Sequence, residues 1–310
     1  MSQYVKKIRT ESGDLQIDYN ALANLPTISN PNLLINGDFQ VWQRGESFSG
    51  YENAYCADRW NIRNANHPTH LIEKSSDVPS NCYMQNSIHI VENYDGNTYL
   101  QYHFEQPLRG TYTLSFWYKS TAVFNSYIVD NGSFSHLGTL TAASSWTKVV
   151  YTFTASSLSR INLIQSLNTG ECYITGVKLE IGTRATEFVP RLYAEELAMC
   201  QRYSYVFAPC DHYTLAYHIF KSSENSLNFS VQLPTTMRAT PSLRVLGGGV
   251  SVVYNDDYGL VYGSTGIQMN TANAQTAKVK AQYGVTFPTD TPVEFFAYSS
   301  LTLLFDAEIY

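Results

Sequence analysis

Leu227, Phe229, Val231 and Leu233 alternate with Asn228, Ser230 and Gln232, and this two-residue period most restricts the folds open to the chain. In an extended strand successive side chains point to opposite faces, so strict alternation makes one face apolar and the other polar. Tyr112, Leu114, Phe116 and Tyr118 repeat the pattern against Thr111, Thr113, Ser115 and Trp117. Val149, Tyr151 and Phe153 do so again, as do Tyr173, Thr175, Val177 and Leu179. No long helical period interrupts these runs. Short strands separated by turn clusters at Asp95-Gly96-Asn97, Asn131-Gly132-Ser133 and Asn168-Thr169-Gly170 read as a β-sandwich.

Composition agrees. The chain has 310 residues, 24 of them tyrosine, and only 15% are charged. Tyrosine suits strands and interfaces because its ring buries area while its hydroxyl stays wet. So low a charge density suits a subunit whose surface is partly covered by partners. A net charge of −6 without a basic cluster excludes nucleic acid, whose phosphates demand a concentrated positive face. Lys6, Lys7, Arg9, Glu11, Asp14 and Asp18 stand where a secretory signal needs an apolar core, and no window reaches membrane-spanning length. Synthesis in the cytoplasm without membrane insertion is expected. The five cysteines (Cys56, Cys82, Cys172, Cys200, Cys210) have no metal-site spacing and read as buried free thiols.

The stretch Pro31 to Trp60, PNLLINGDFQVWQRGESFSGYENAYCADRW, places apolar runs on either side of Asn36-Gly37-Asp38 and reads as strand, turn, strand. With NLLINGDFQVWQRG and CADRW, it resembles the start of β-jelly-roll domains in tail-fibre and receptor-binding proteins of tailed bacteriophages and prophage-derived particles. Gly176 to Tyr203, GVKLEIGTRATEFVPRLYAEELAMCQRY, resembles the segment that closes the same domain. LPTTMRATPSL (Leu233 to Leu243) and LLFDAEIY (Leu303 to Tyr310) are similar, less specifically, to the C-terminal β-domains of such proteins. The resemblance implies a jelly roll like a carbohydrate-binding module. It also implies a homotrimer in the virion tail, docked onto other tail or baseplate proteins and bound to a host-surface glycan or protein.

The expected architecture is all-β: a jelly-roll sandwich followed by a smaller β-sandwich. Residues 1–30 form an N-terminal attachment segment, 31–190 the jelly roll, 191–206 a linking helix and 207–310 the C-terminal β-domain. The attachment segment is alternatively a disordered tail or a strand on its own jelly roll. Tyr193, Leu197, Cys200 and Ser204 recur at helical spacing, with Glu195 and Glu196 near the helix start and Arg202 near its end. Gly247-Gly248-Gly249 reads as a sharp turn or a close backbone approach.

No residue pattern calls for catalysis, and the chain is expected not to be an enzyme. Glu195-Glu196 and Asp256-Asp257 are adjacent pairs, and adjacency does not place two carboxylates across a scissile bond. Pro68 separates His67 from His70 and disfavours a shared helix face; His89 and His103 are strand histidines that could be cross-strand neighbours. No metal site follows from these spacings. The resemblance implies one option, a structural Ca²⁺ near the Asn36-Gly37-Asp38-Phe39 turn and the last strand. Gln40 stands where such modules often carry glutamate and Lys178 precedes Glu180, which weakens a hard-cation site.

Receptor contact is expected on a loop held by a rigid sandwich. Tyr254, Asn255, Asp256, Asp257 and Tyr258 combine aromatic faces for sugar rings with carboxylates for their hydroxyls. The same residues also suit a plain solvated turn. The expected function is a trimeric tail fibre or receptor-binding protein that attaches to the host surface by multivalent contact. The alternatives are a monomeric carbohydrate-binding module, a tail depolymerase, or a purely architectural baseplate or neck decoration.

Overall fold

The structure is a computed structural model that describes residues 7–10, 13–16, 30–50, 53–64, 71–94, 98–208, 214–217, 221–223, 226–254, 261–264, 266–283 and 293–309. It is an all-β protein with one helix among the described residues. A hairpin of β1 (Lys7–Thr10) and β2 (Gly13–Gln16) comes first. The first sandwich contains β3 (Ser47–Ser49), β4 (Asn53–Tyr55), β5 (Asn61–Asn64), β6 (Leu71–Ser75) and β7 (Ser87–Glu92). It continues with β8 (Thr98–Ser120), β9 (Phe124–Asp130), β10 (Ser133–Leu140), β11 (Ala143–Leu167) and β12 (Gly170–Ile181).

β8 and β11 are long enough to serve both layers of this sandwich. Residues 98–103 of β8 pair with β5 and with 160–167 of β11, which also pairs with β9; β4 and β10 extend this layer. Residues 110–120 of β8 pair with 143–155 of β11 and with β12, beyond which lie β7, β6 and β3. Between the two halves the register jumps from His103↔Arg160 to Leu108↔Leu158. Residues 104–107 bulge there. The core between the layers holds Tyr112, Leu114, Phe116 and Tyr118, as the alternation of β8 requires, together with Ile88, Ile90, Cys172 and Ile174.

Four expectations change. The stretch around Asn36-Gly37-Asp38 is not strand, turn, strand: residues 31–46 carry no strand, although Leu34, Phe39, Val41 and Trp42 are buried. Its polar groups bond at short range or to other segments instead of to a ladder. The Asn36 side chain bonds Val41 N and O and Asp58 O, and the indole of Trp60 donates to Asn36 O. The left-handed residues are Asn36 and Phe39, not Gly37. Gly37 is needed for another reason: a Cβ there would lie 2.2 Å from Val177 O.

In β12 the four residues Tyr173, Thr175, Val177 and Leu179 do not share a face. A bulge between Thr175 and Lys178, with Gly176 at φ +61°, shifts the alternation by one residue. Val177 and Leu179 enter the core while Tyr173 points outward. Gly247-Gly248-Gly249 lies inside a strand, at a shift in register, and is not a turn between elements. Helix α1 (Tyr193–Gln201) buries Glu196 and Cys200 and leaves Tyr193 exposed; Ser204 is already in strand. Glu196 does more than complement the helix dipole. It accepts from Asn36 N and pairs with Arg191, whose guanidinium also donates to the carbonyls of Asn32 and Leu34. With Val177 N donating to Gly37 O at 2.7 Å, the two stretches that carry the resemblance form one seam.

The remaining strands are β13 (Ser204–Phe207), β14 (Thr214–Tyr217), β15 (Lys221–Ser223), β16 (Ser226–Gln232), β17 (Ser242–Tyr254), β18 (Val261–Gly263), β19 (Gly266–Ala272), β20 (Thr276–Gln282) and β21 (Val293–Asp306). They form a sheet of order β13-β21-β17-β18, with β14 also on β21, and a sheet of order β15-β16-β20-β19. Phe229, Val231 and Leu233 pack with Val279, Leu303 and Phe305 in a second core.

A buried ionic junction joins the two cores. Glu308 accepts from Arg59 Nη1, from Arg59 N at 3.3 Å and from Arg44 Nη2 at 3.2 Å, while Arg44 also reaches Asp58 at 3.2 Å. Tyr55 donates to Ile309 O, and Ala307 N donates to Tyr203 O at 2.8 Å. The chain end that follows β21 is therefore clamped by the Asp58-Arg59 turn of the first sandwich.

Candidate functional site

Of the residues expected to contact a receptor, Tyr254 ends β17; Asn255, Asp256, Asp257 and Tyr258 lie outside the described residues. So do His67, His70 and Cys210. His89 and His103 are not cross-strand neighbours. His89 pairs with Tyr173 and Glu73, whereas His103 pairs with Arg160 in the other layer. Burial, with Arg160 and Arg59 nearby, lowers the His103 pKa to about 4. Cys56, Cys172 and Cys200 are buried free thiols, and Cys82 is half-buried.

Among the described residues a set of partly exposed chemical groups gathers on the outer face of the β6-β7-β12-β8 sheet. Strand pairing puts Glu73, His89, Tyr173 and Lys119 in one row across four strands. Residues 76–86 fold back over the neighbouring row: Ser87 Oγ donates to Asp77 O and Thr175 Oγ1 to Asn86 O, each at 2.6 Å. This fold-back brings Asp77 over Lys119. From the start of β11, Trp146 completes the cluster by donating its indole N–H to Asp77 Oδ1 at 3.0 Å.

The rings and charges hold one another in place. His89 stacks on Tyr173 at 4.1 Å and 7°, and the Lys119 ammonium stands 4.4 Å from the centre of the same ring. Both cannot occupy one face, so Tyr173 is sandwiched. Its rigidity is set by neighbours on three strands. Trp146, half-buried, meets Tyr173 in a T-shaped contact at 6.4 Å, and the Lys119 ammonium also lies over its ring at 5.8 Å. The two His89 nitrogens lie 2.8 Å from Glu73 and 3.1 Å from Glu171. A neutral imidazole donates to one of these carboxylates and an imidazolium to both. For Asp77, burial pushes the pKa up, but the bonds from Lys119 and Trp146 and the ammonium charge outweigh it and hold the carboxyl below its ordinary range.

Such a set of acceptors, an ammonium and a flat indole can bind a ligand that is apolar on one face and rich in hydroxyls at its edge. No signal in the sequence links Asp77, Trp146 and Tyr173. Only the outward positions Trp117 and Lys119 are foreshadowed, by the alternation in β8.

Near the Asn36-Gly37-Asp38 turn, the place considered for a cation is taken by an ammonium. Lys178, only 1% exposed, donates to Thr186 Oγ1 at 2.5 Å and Glu187 O at 3.0 Å, and its Nζ lies 3.6 Å from Glu180. Burial lowers the Lys178 pKa, against the pull of Glu180, and the amine occupies the oxygens a metal would need. Among the described residues no three His, Cys, Asp or Glu side chains converge as metal ligands.

No protein-family model matches the chain, and no curated protein matches it. Among solved structures it is similar to the tandem CBM22-1–CBM22-2 domain of Paenibacillus barcinonensis Xyn10C, at 10% identity over 91% of this chain and 98% of that chain, TM-score 0.34. It is similar to the CBM22-1–GH10 modules of Clostridium thermocellum xylanase 10B complexed with xylohexaose, at 14% identity over 40% of this chain, TM-score 0.33; the match spans 26% of that protein. A third is the enzymatically active domain of bacteriophage CBA120 tailspike protein 4, at 13% identity over 49% of this chain and 21% of that chain, TM-score 0.37. At these TM-scores the likenesses carry no argument about what the chain binds.

Proposed function

We propose that this protein is a non-enzymatic glycan-binding protein that holds its ligand on the outer face of the first sandwich. The observation that carries this reading is the cluster of Trp146, Asp77, Lys119, Glu73 and Glu171 around the sandwiched Tyr173. Trp146 supplies the stacking surface, the carboxylates accept sugar hydroxyls, and Lys119 donates. Binding polysaccharides in native affinity gels tests it. Trp146→Ala is expected to weaken retardation at least about tenfold, near 1.4 kcal/mol, while leaving the unfolding midpoint close to that of the parent. Equal retardation of parent and variant across neutral and acidic polysaccharides would reject the site.

We further propose that the protein works in a virion tail as a homotrimer, with residues 1–30 docking to neighbouring tail or baseplate proteins. What supports this is the resemblance of residues 31–60 and 176–203 to tail-fibre jelly rolls. Light scattering of the purified chain should give three times the chain mass of 34.9 kDa. A monomer at every concentration would leave the glycan-binding reading in place and remove the autonomous trimer.

A further inference from the structure

In the second sandwich, the β15-β16-β20-β19 sheet turns Val231, Val279 and Met269 toward the second core. Alternation then turns Ser230, Gln232, Lys278, Lys280 and Gln268 outward, and a register shift between Met269 and Thr271 leaves Asn270 and Thr271 both exposed. Neither Ser226–Gln232 nor Gly266–Gln282 contains an Asp or Glu. Lys278 and Lys280 stand two residues apart on one face of the middle strand β20, about 7 Å along it. Their ammonium groups have no ion-pair or hydrogen-bond partner among the described residues, whereas Lys74, Lys119 and Arg202 each hold a carboxylate. Beside Lys278 lies an open pocket of about 370 Å³, lined also by Ser230, Thr271, Asn273 and Thr276. Asn273 Oδ1 accepts from Gln275 N and Thr276 N at 2.8 Å each, which fixes the turn that forms one wall. Across β20, Asn270 Nδ2 donates to Asn228 Oδ1 at 3.2 Å.

We propose that this face binds an acidic glycan, a polymer whose sugar rings carry carboxylate or sulfate groups. Two unpaired ammonium groups with no acid beside them attract anions, and each makes charge-assisted hydrogen bonds to an anionic oxygen. The hydroxyls of Ser230 and Thr271 are exposed and unbonded among the described residues, and they both donate to and accept from sugar hydroxyls. Lys278, Ser230 and Thr271 are all exposed and Lys280 is half-buried, so a ligand reaches them without opening the core. An open sheet face suits the interior of a chain. Nucleic acid is disfavoured: β16, β19 and β20 turn no aromatic ring outward to stack a base, and two cations are few for a phosphate backbone. The Trp146 face has the opposite character, since Glu73, Glu171 and Asp77 outnumber Lys119 there. The two faces belong to different sandwiches with separate cores and act independently.

The test is biolayer interferometry of the full chain on immobilised polygalacturonate, dextran sulfate, fully methyl-esterified polygalacturonate and polyphosphate. At least one of the two acidic glycans should bind, and the esterified polymer, which keeps the ring and loses the charge, should not. Binding should weaken as salt rises from about 0.1 M to about 1 M, because the screening length shrinks from about 10 Å to about 3 Å. Lys278→Gln combined with Lys280→Gln should weaken it at least about fivefold, with an unfolding midpoint like the parent's, and the corresponding double arginine variant should retain it. Binding of neither acidic glycan would overturn the inference, as would equal binding of the esterified polymer. Polyphosphate held as tightly as either acidic glycan would also overturn it, leaving a bare anion patch. Binding lost in Trp146→Ala but kept in the double glutamine variant would move the acidic glycan to the first sandwich, refuting this site and leaving that one standing.

Discussion

Replacing Glu308 by alanine removes the anion at the centre of the junction between the two cores. Glu308 is fully buried, Arg59 is 1% exposed and Arg44 7% exposed. Arg44 keeps Asp58 at 3.2 Å, so the charge left without an anionic partner is that of Arg59. Its remaining contacts, His103 O and the two tyrosine rings, are present before and after the change and offset nothing. Breaking a buried ion pair on one side costs about 3–5 kcal/mol. Water entering from the surface pocket lined by Arg59, Tyr102 and Tyr203 can solvate the freed guanidinium, which places the expected loss near the lower end, about 3 kcal/mol. Urea unfolding followed by tryptophan fluorescence measures it, because Trp60 lies 5.2 Å from Tyr102 and reports on this region. Glu308→Gln, which keeps an acceptor but no charge, should fall between parent and alanine variant. A loss below about 1 kcal/mol for the alanine variant would refute a desolvated junction.

Burial, against the pull of Arg44, raises the Asp58 pKa from 3.8 to about 6. The folded chain thus holds this proton more tightly than the unfolded chain, so the contribution of Asp58 to stability is fully present below pH 3.8 and is lost as pH rises through about 6. Asp58→Asn should flatten the fall in unfolding free energy across that window by about 3 kcal/mol, and an unchanged pH profile would contradict the assignment. Gly37→Ala should lower stability by at least about 2 kcal/mol, since its Cβ meets backbone rather than a movable side chain; a neutral effect in thermal unfolding would show that the seam can open. Burial pushes the thiols of Cys56 and Cys172 up to about 12, so a thiol reagent at mildly alkaline pH should modify half-buried Cys82 before either. Peptide mapping that finds Cys56 or Cys172 modified first in the native protein would overturn that order.

The strands with clean alternation were legible without coordinates. The faces of β8 and β16 follow from side-chain polarity alone, because a two-residue period is a property of the strand itself. The helix after Pro190 was legible by its acidic first turn, although of the residues at helical spacing Tyr193 is exposed and Ser204 is already in strand. Alternation failed at β12, where one inserted residue at Gly176 exchanges the faces, and a bulge depends on the partner strand. It failed also at residues 31–46: the apolar residues there are buried as their chemistry demands, but their backbone polar groups found partners from outside a ladder.

The candidate sites were less legible than the fold. Asp77, Trp146 and Tyr173 belong to different strands and loops, and nothing local marks them as neighbours. Arg59 reads as one cation in an Asp-Arg-Trp run until the chain end supplies Glu308. Sequence by itself determined the all-β class, the helix that follows the first sandwich, and a surface poor in charge. Tertiary structure alone decided which polar side chains met, because strand order and register couple residues far apart in the chain, and the cost of burying charge then selects the pairs that persist.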